Sequence, residues 1–203
     1  MKNPFELSDE DGEFLVKTAR KVVTEFLKNN KKIKFDEENE KKFSFNSGIF
    51  VTLNNPEGLR GCIGYPLPNK KLSNALVDSA ISAATEDPRF PSVDSNELDK
   101  IIFEVTVLTP PVEIKVNDPL EYPSKIKVGR DGLIVKSGSN SGLLLPQVPK
   151  EYGWDEEQFL DHTCEKAGIP KEYWKEKETK ILKFEGIVFK EEESFGKVIR
   201  VTL

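Results

Sequence analysis

Two short runs rich in aromatic and β-branched residues, separated by a turn signal, constrain the fold of this chain most. The first run covers residues 43–53 and the second covers residues 59–65. The segment between them, Asn54-Asn55-Pro56-Glu57-Gly58, is built from residues that favour turns. The pattern predicts a β-hairpin whose second strand returns beside the first and carries Cys62 between two glycines.

Helices and further strands are predicted on both sides of this hairpin. Apolar residues at three- and four-residue steps indicate an amphipathic helix over residues 9–30, whereas the charged residues 31–42 are typical of a surface loop. Further helices are predicted at 72–85 and 155–167, and further strands at 101–108, 181–190 and 197–203. In addition, Asp131-Gly132 is a hairpin signal.

This order of elements predicts an α+β fold with an antiparallel sheet flanked by helices. Residues 116–175 have a different texture, with short strands, a Gly/Ser turn and one helix. We therefore expect them to form a smaller α+β subdomain inserted into a larger one. The larger subdomain then comprises residues 1–115 plus 176–203 and contains both termini.

Charge and cysteine content narrow the classes of function. A formal net charge of -5 disfavours nucleic acid as the main partner, because phosphate binding needs clustered Lys and Arg. The start of the chain is acidic where a signal peptide needs positive charge, and no apolar run is long enough to span a membrane. The two cysteines are too few for a secreted disulfide scaffold, so we expect a cytoplasmic protein with no membrane partner.

Cys62 is the residue best placed to carry chemistry. Glycine inside a strand marks a bend, a bulge or a close approach to the backbone, so Gly61 and Gly64 can present the thiol to a ligand. The alternative is that Cys62 is a small buried hydrophobe. His162, the single histidine, is the obvious base for a catalytic thiol, but at 100° per residue it falls off the apolar stripe of its helix.

Cys164 and the two arginines have both functional and structural interpretations. Cys164 falls on that apolar stripe, which predicts core packing. His162 and Cys164 lie two positions apart on the helix and point in different directions, so they cannot bind one metal ion together with Cys62. The sequence therefore predicts no metal site and assigns no cofactor. Arg60 and Arg89 can each bind a carboxylate or phosphate through a bidentate fork. The alternative is that Arg89 pairs with Glu86 or Asp87 and that Arg60 pairs with a strand neighbour.

Four motifs in order resemble the AMMECR domain family over nearly the whole chain. They are Leu59-Arg60-Gly61-Cys62-Ile63-Gly64, then Ala84-Thr85-Glu86-Asp87-Pro88-Arg89-Phe90-Pro91, then Glu104-Val105-Thr106-Val107-Leu108-Thr109-Pro110-Pro111, and finally Gly142-Leu143-Leu144-Leu145-Pro146-Gln147. The Lys-rich and Ala-poor usage is similar to that of archaeal members. The resemblance implies a larger subdomain with an antiparallel sheet between helices and a smaller inserted subdomain.

The resemblance also implies where the function lies. The family's hexapeptide, carried here by residues 59–64 without departure, is regarded as its functional site. Some relatives are fused or associated with MEMO-type and radical SAM proteins, which implies a partner of that kind in a modification pathway. A role in transcription, replication, repair or translation has been suggested for the family.

Two hypotheses follow for the site. In the first, the protein is an enzyme or an enzyme's partner that uses Cys62, with Arg60 and Arg89 orienting an anionic ligand. In the second, it is a non-catalytic module that binds a protein or a small molecule through the hexapeptide and the loop at residues 87–91. The ligand-contact residues predicted in both cases are Leu59, Arg60, Gly61, Ile63, Gly64, Asp87, Arg89 and Gln147.

Overall fold

The protein forms two compact α+β units in a computed structural model, which describes residues 5–201. One unit comprises residues 5–108 with 187–201, and the other comprises residues 109–186. The helices are α1 (Asp9–Asn29), α2 (Glu37–Lys42), α3 (Leu72–Thr85), α4 (Gln147–Tyr152) and α5 (Glu156–Lys166). The strands are β1 (Gly48–Asn55), β2 (Gly58–Tyr65), β3 (Ile102–Leu108), β4 (Val112–Glu113), β5 (Asp131–Ser137), β6 (Asn140–Leu144), β7 (Lys180–Glu191) and β8 (Val198–Val201).

The first unit is built on an antiparallel sheet whose strands lie in the order β2, β1, β3, β7 and β8, with β7 contributing its last residues. The odd-numbered residues from Ile49 to Leu53 in β1 and from Phe103 to Val107 in β3 are fully buried in the main core beside α1 and α3. Side chains alternate along a strand, so the even-numbered residues occupy the opposite face of the sheet. We call this the second face; it carries Thr52 and Glu104.

Small residues along α3 allow that helix to lie close to the sheet. Ala75, Ala80, Ala83 and Ala84 are all buried, and α3 contacts both β1 and β2.

Helix α1 begins with a capping box in which the side chains of Ser8 and Asp11 accept hydrogen bonds from each other's backbone N–H groups. It contributes Leu15, Ala19 and Val22 to the same core.

The second unit has its own sheet and core. Its strands lie in the order β6, β5, β7 and β4, and α5 packs on β5 and β6. Phe159, Leu160 and Cys164 of α5 are fully buried with Trp174, which confirms the predicted apolar stripe. The sequence places the subdomain boundaries at 115/116 and 175/176, whereas the compact units divide at 108/109 and 186/187.

The structure corrects the sequence prediction in three places. Residues 37–42, within the predicted loop, form α2 because Asp36 caps its first turn. The strand predicted from residue 43 begins at Gly48, and Phe43 is instead a core residue next to Phe14 and Phe35. The predicted Asp131-Gly132 turn is wrong: both residues begin β5, and the turn lies at Gly138, whose φ is 56°.

The other predicted elements are found within two residues of their expected ends. The predicted strand at residues 197–203 is observed as β8, and residues 202–203 lie outside the described part. Within residues 5–201, no helix is long and apolar enough to cross a membrane.

Candidate functional site

The hexapeptide lies on β2, an edge strand of the first unit's sheet. Both of its glycines are required by close packing within the protein. A Cβ on Gly61 would lie 2.1 Å from the carbonyl oxygen of Ala83 in α3, and a Cβ on Gly64 would lie 2.0 Å from that of Ile49 in β1. The close backbone approaches expected at these glycines are therefore made by α3 and β1.

A β-bulge sets the direction of the Arg60 side chain. Leu53 pairs with Gly61 and Asn54 pairs with Leu59, so Arg60 is the extra residue on β2. Its guanidinium, only 10% exposed, donates from Nε and Nη2 to the Glu97 carboxylate at 2.8 and 2.9 Å. It also donates to the carbonyls of Pro91 and Ser92. Arg60 thus ties β2 to the segment after α3, and the carboxylate it pairs with is not on a neighbouring strand.

Asp87 and Arg89 close the free edge of β2 beside Cys62. The Asp87 carboxylate, which is 3% exposed, accepts the Cys62 backbone N–H at 2.8 Å. Arg89 donates from Nε and Nη2 to the two Asp87 oxygens at 2.9 and 2.7 Å, and from Nη2 to the Cys62 carbonyl at 3.3 Å. The pairing of Arg89 with Asp87, one of the alternatives left open by the sequence, is observed.

The electrostatics of this pair are strongly coupled. Hydrogen bonds from Arg89, together with those from backbone N–H groups, hold the pKa of Asp87 well below its usual range. The same pairing raises the pKa of Arg89. The result is a carboxylate that stays ionised at physiological pH and holds Arg89 in one orientation.

We expect Asp87→Asn to reduce the acid sensitivity of folding. A carboxyl whose pKa is lowered by folding stabilises the native state above its unfolded pKa of about 3.9, and this stabilisation is lost as the pH falls towards the folded pKa. The difference in free energy of unfolding between wild type and Asp87→Asn should therefore be larger at about pH 6 than at about pH 2. Unfolding in guanidinium chloride at both pH values measures this difference in free energy. Asp118→Asn, at an exposed capping carboxylate, is the control, and a pH-independent difference would contradict the expectation.

The Cys62 thiol is half-buried on the second face of the sheet. It lies opposite Thr52 on β1, whose hydroxyl donates to Cys62 Sγ at 3.3 Å. Burial raises the pKa of the Cys62 thiol, while Thr52 and Arg89 act to lower it. At neutral pH the resting group is therefore a neutral thiol.

The remaining sequence-predicted residues fall in different places. Ile63 is half-buried against the main core, and Leu59 is 40% exposed.

Gln147 begins α4 in the second unit, where its Oε1 is buried without a hydrogen-bond partner among residues 5–201. His162, also in the second unit, stacks on Trp154 and hydrogen-bonds Glu165. Cys164 is fully buried, and burial raises its pKa to about 11, which confirms it as a core residue.

Sequence reasoning missed two residues beside the thiol. Thr52 pairs with Cys62 on one side and with Glu104 of β3 on the other, so these three residues form a row across the second face. Burial raises the pKa of Glu104. The sequence signal for Glu104 was present, because it is the only charged residue in the mainly apolar strand at 101–108.

A metal-binding arrangement is absent from the part of the chain described here. No group of three or more His, Cys, Asp and Glu side chains within residues 5–201 is arranged to hold an ion. The polar groups around Cys62 are the Thr52 hydroxyl, the Asp87 and Glu104 carboxylates and the Arg89 guanidinium.

Comparison with known proteins gives one consistent result. The family model AMMECR1 matches residues 16–189. A protein of Pyrococcus abyssi is 51% identical over 202 residues, which cover 97% of this chain and 98% of that protein. A protein of Methanopyrus kandleri is 50% identical over 195 residues, covering 95% and 94% respectively. The crystal structure of protein PH0010 from Pyrococcus horikoshii matches with a TM-score of 0.87 and 48% identity, covering 98% of this chain and all of that one.

Proposed function

We propose, from the premise that the chain belongs to the AMMECR1 family, that β2 and the loop at residues 87–91 form a site that binds an anionic group of a ligand. The ligand is a small molecule or a segment of a partner protein. Arg89 supplies the binding cation, and Cys62 lies beside it. Two free cysteines support a cytoplasmic setting for this function.

The single observation that carries the proposal is the state of the Arg89 guanidinium. Its side chain is 53% exposed, yet Asp87 and the Cys62 carbonyl engage Nε and Nη2. No partner for Nη1 is found among residues 5–201, so two N–H donors remain for a ligand. A guanidinium already held in place loses little side-chain entropy when it binds a carboxylate or phosphate.

The other arginine of the site has a different role in this proposal. Arg60 is buried, and its donors are engaged by Glu97 and two carbonyls. It therefore acts as a positioning residue that holds the loop carrying Arg89 against β2. Leu59, exposed at the start of the strand, supplies apolar contact area for a ligand.

Titration with inorganic phosphate tests this proposal, and we expect Arg89→Gln to weaken the response strongly. In 15N-resolved NMR spectra, phosphate should shift the Arg89 Nε–H and the Cys62 amide with a dissociation constant on the order of millimolar. Loss of the guanidinium should weaken this binding by about tenfold or more. Sodium chloride at matched ionic strength separates specific binding from screening.

Arg130→Gln is a closely matched control for that experiment. Arg130 is 45% exposed and donates from Nε and Nη2 to the fully buried carboxylate of Asp131, so it repeats the Arg89–Asp87 geometry in the second unit. Arg130→Gln should leave the response at Cys62 intact. Equal responses in wild type and Arg89→Gln would refute the proposal.

Two versions of this function differ in the role of Cys62. In one, the site belongs to a cysteine-dependent enzyme, or to an enzyme's partner in a modification pathway with a MEMO-type or radical SAM protein. In the other, it is a non-catalytic module of basic cellular machinery, in which the neutral Cys62 thiol only packs. A nucleic-acid ligand is disfavoured in both versions by the net charge of -5.

A further inference from the structure

The row of side chains next to Cys62 carries an inference about thiol chemistry. Cys62, Thr52 and Glu104 occupy directly paired positions on β2, β1 and β3, so their side chains share the second face of the sheet. Directly opposed residues have Cβ atoms about 5 Å apart. Thr52 therefore stands between a thiol and a carboxyl group, and its hydroxyl already contacts Cys62 Sγ at 3.3 Å.

We infer that Glu104 accepts the proton of the Cys62 thiol through the Thr52 hydroxyl, which makes this row a nucleophilic site for an acyl compound. The inference deepens the proposed function, because Arg89 would hold the anionic group of the same substrate. It is an inference about Glu104 as a base, and it needs no histidine.

Three features of Glu104 suit it to this role. Its side chain is partly enclosed on the sheet face. No hydrogen bond to its carboxylate, from Thr52 or from any other residue, is found within residues 5–201, so the carboxylate is free to accept one when the Thr52 hydroxyl turns away from Cys62 Sγ. Burial raises its pKa, which makes the carboxylate a stronger base than that of an exposed glutamate. The charged groups that act on the pair are Lys190 of β7 near Glu104, and Arg89 and Asp87 near Cys62.

The proton transfer balances without an external reagent. The S–H bond breaks, its proton passes to Thr52 Oγ1, and the Thr52 hydroxyl proton passes to the Glu104 carboxylate after the hydroxyl rotates. One negative charge thereby moves from Glu104 to sulfur. The thiolate forms an S–C bond with the acyl carbon while the bond to the leaving group breaks. The leaving group departs with the proton held by Glu104, and the acyl group remains on Cys62.

The rate of alkylation of Cys62 by iodoacetamide tests this inference, because the two possible roles of Glu104 predict opposite signs. If Glu104 is the proton acceptor, Glu104→Gln should slow alkylation at about pH 7 by roughly tenfold, equivalent to one unit of apparent thiol pKa. In the wild type, the alkylation rate should fall as the pH is lowered and Glu104 becomes protonated. This fall should be absent in Glu104→Gln. If Glu104 is only a neighbouring negative charge, Glu104→Gln lowers the thiol pKa and speeds alkylation. A faster or unchanged rate would overturn the inference.

Variants of Thr52 test the route of the proton. Thr52→Val should slow alkylation, Thr52→Ser should restore it, and Glu104→Gln should have no further effect in the Thr52→Val background. Additive effects of the two substitutions would overturn the relay. Peptide mass spectrometry reads Cys62 separately from Cys164, which is fully buried and serves as an internal reference for an intact fold. Iodoacetamide is uncharged, so this result is independent of the phosphate titration of Arg89.

Discussion

Glu191→Ala should lower the free energy of unfolding by about 3–5 kcal/mol, because it leaves a buried arginine without its counter-ion. The side chains of Arg20 and Glu191 are 8% and 2% exposed. Arg20 Nε donates to Glu191 at 2.7 Å, and Glu191 also accepts the Phe103 backbone N–H at 2.9 Å. The guanidinium is further enclosed between the rings of Phe103 and Phe195. Removal of Glu191 would therefore leave the Arg20 guanidinium without a counter-ion and the Phe103 N–H without an acceptor.

The double variant Arg20→Met/Glu191→Met separates the cost of an unpaired buried charge from the net contribution of the ion pair. Its free energy of unfolding is measured by chemical denaturation. Apolar residues of similar size remove both charges, so the double variant should recover much of the loss seen for Glu191→Ala. If Glu191→Ala cost less than about 1 kcal/mol, the pair would be behaving like an exposed salt bridge, contrary to its burial.

Gly61→Ala should strongly destabilise the contact between the hexapeptide strand and α3. The added Cβ would lie 2.1 Å from the Ala83 carbonyl oxygen, which belongs to the backbone of α3 and cannot rotate away. Strand and helix must then separate, at a cost of about 3 kcal/mol in the free energy of unfolding. Thermal unfolding and the amide spectrum of β2 measure the effect.

Cys62→Ala, one residue along the same strand, is the control for Gly61→Ala. Its side chain is half-buried on the second face and is shortened rather than extended, so it should leave the amide spectrum of α3 unchanged. A native spectrum and native stability for Gly61→Ala would show that β2 and α3 are less closely packed than described.

Local sequence patterns predicted the helices and strands whose ends are set by residues close to them in the sequence. Helix α3 is found at its predicted residues because an Ala-rich run is bounded by a Pro-containing segment and by Pro88. Helix α2 was missed because its six residues, five of them charged, carry no apolar periodicity, and only the Asp36 cap reveals it. Asp131-Gly132 has the composition of a turn, but pairing with β7 places both residues in a strand.

The candidate site depends more on pairing than on local pattern. The sequence located the hexapeptide strand and predicted Arg89 and Asp87 as candidate ligand contacts. It could not show that Arg60 would be turned inward, because the bulge arises from the pairing of β2 with β1. The alignment of Glu104 with Cys62 depends on two successive strand pairings across some 40 residues of chain, so neither residue's neighbours in the sequence indicate it.

The closed edge of β2 has a consequence for behaviour at high concentration. An unpaired strand edge is a template on which another chain can add a strand, and such addition leads to aggregation. At Cys62 the Asp87 carboxylate occupies the N–H and the Arg89 guanidinium occupies the C=O, so this register position is closed to an incoming strand. The Asp87–Arg89 pair thereby protects this edge strand against the addition of a second chain at Cys62, which favours a monodisperse protein.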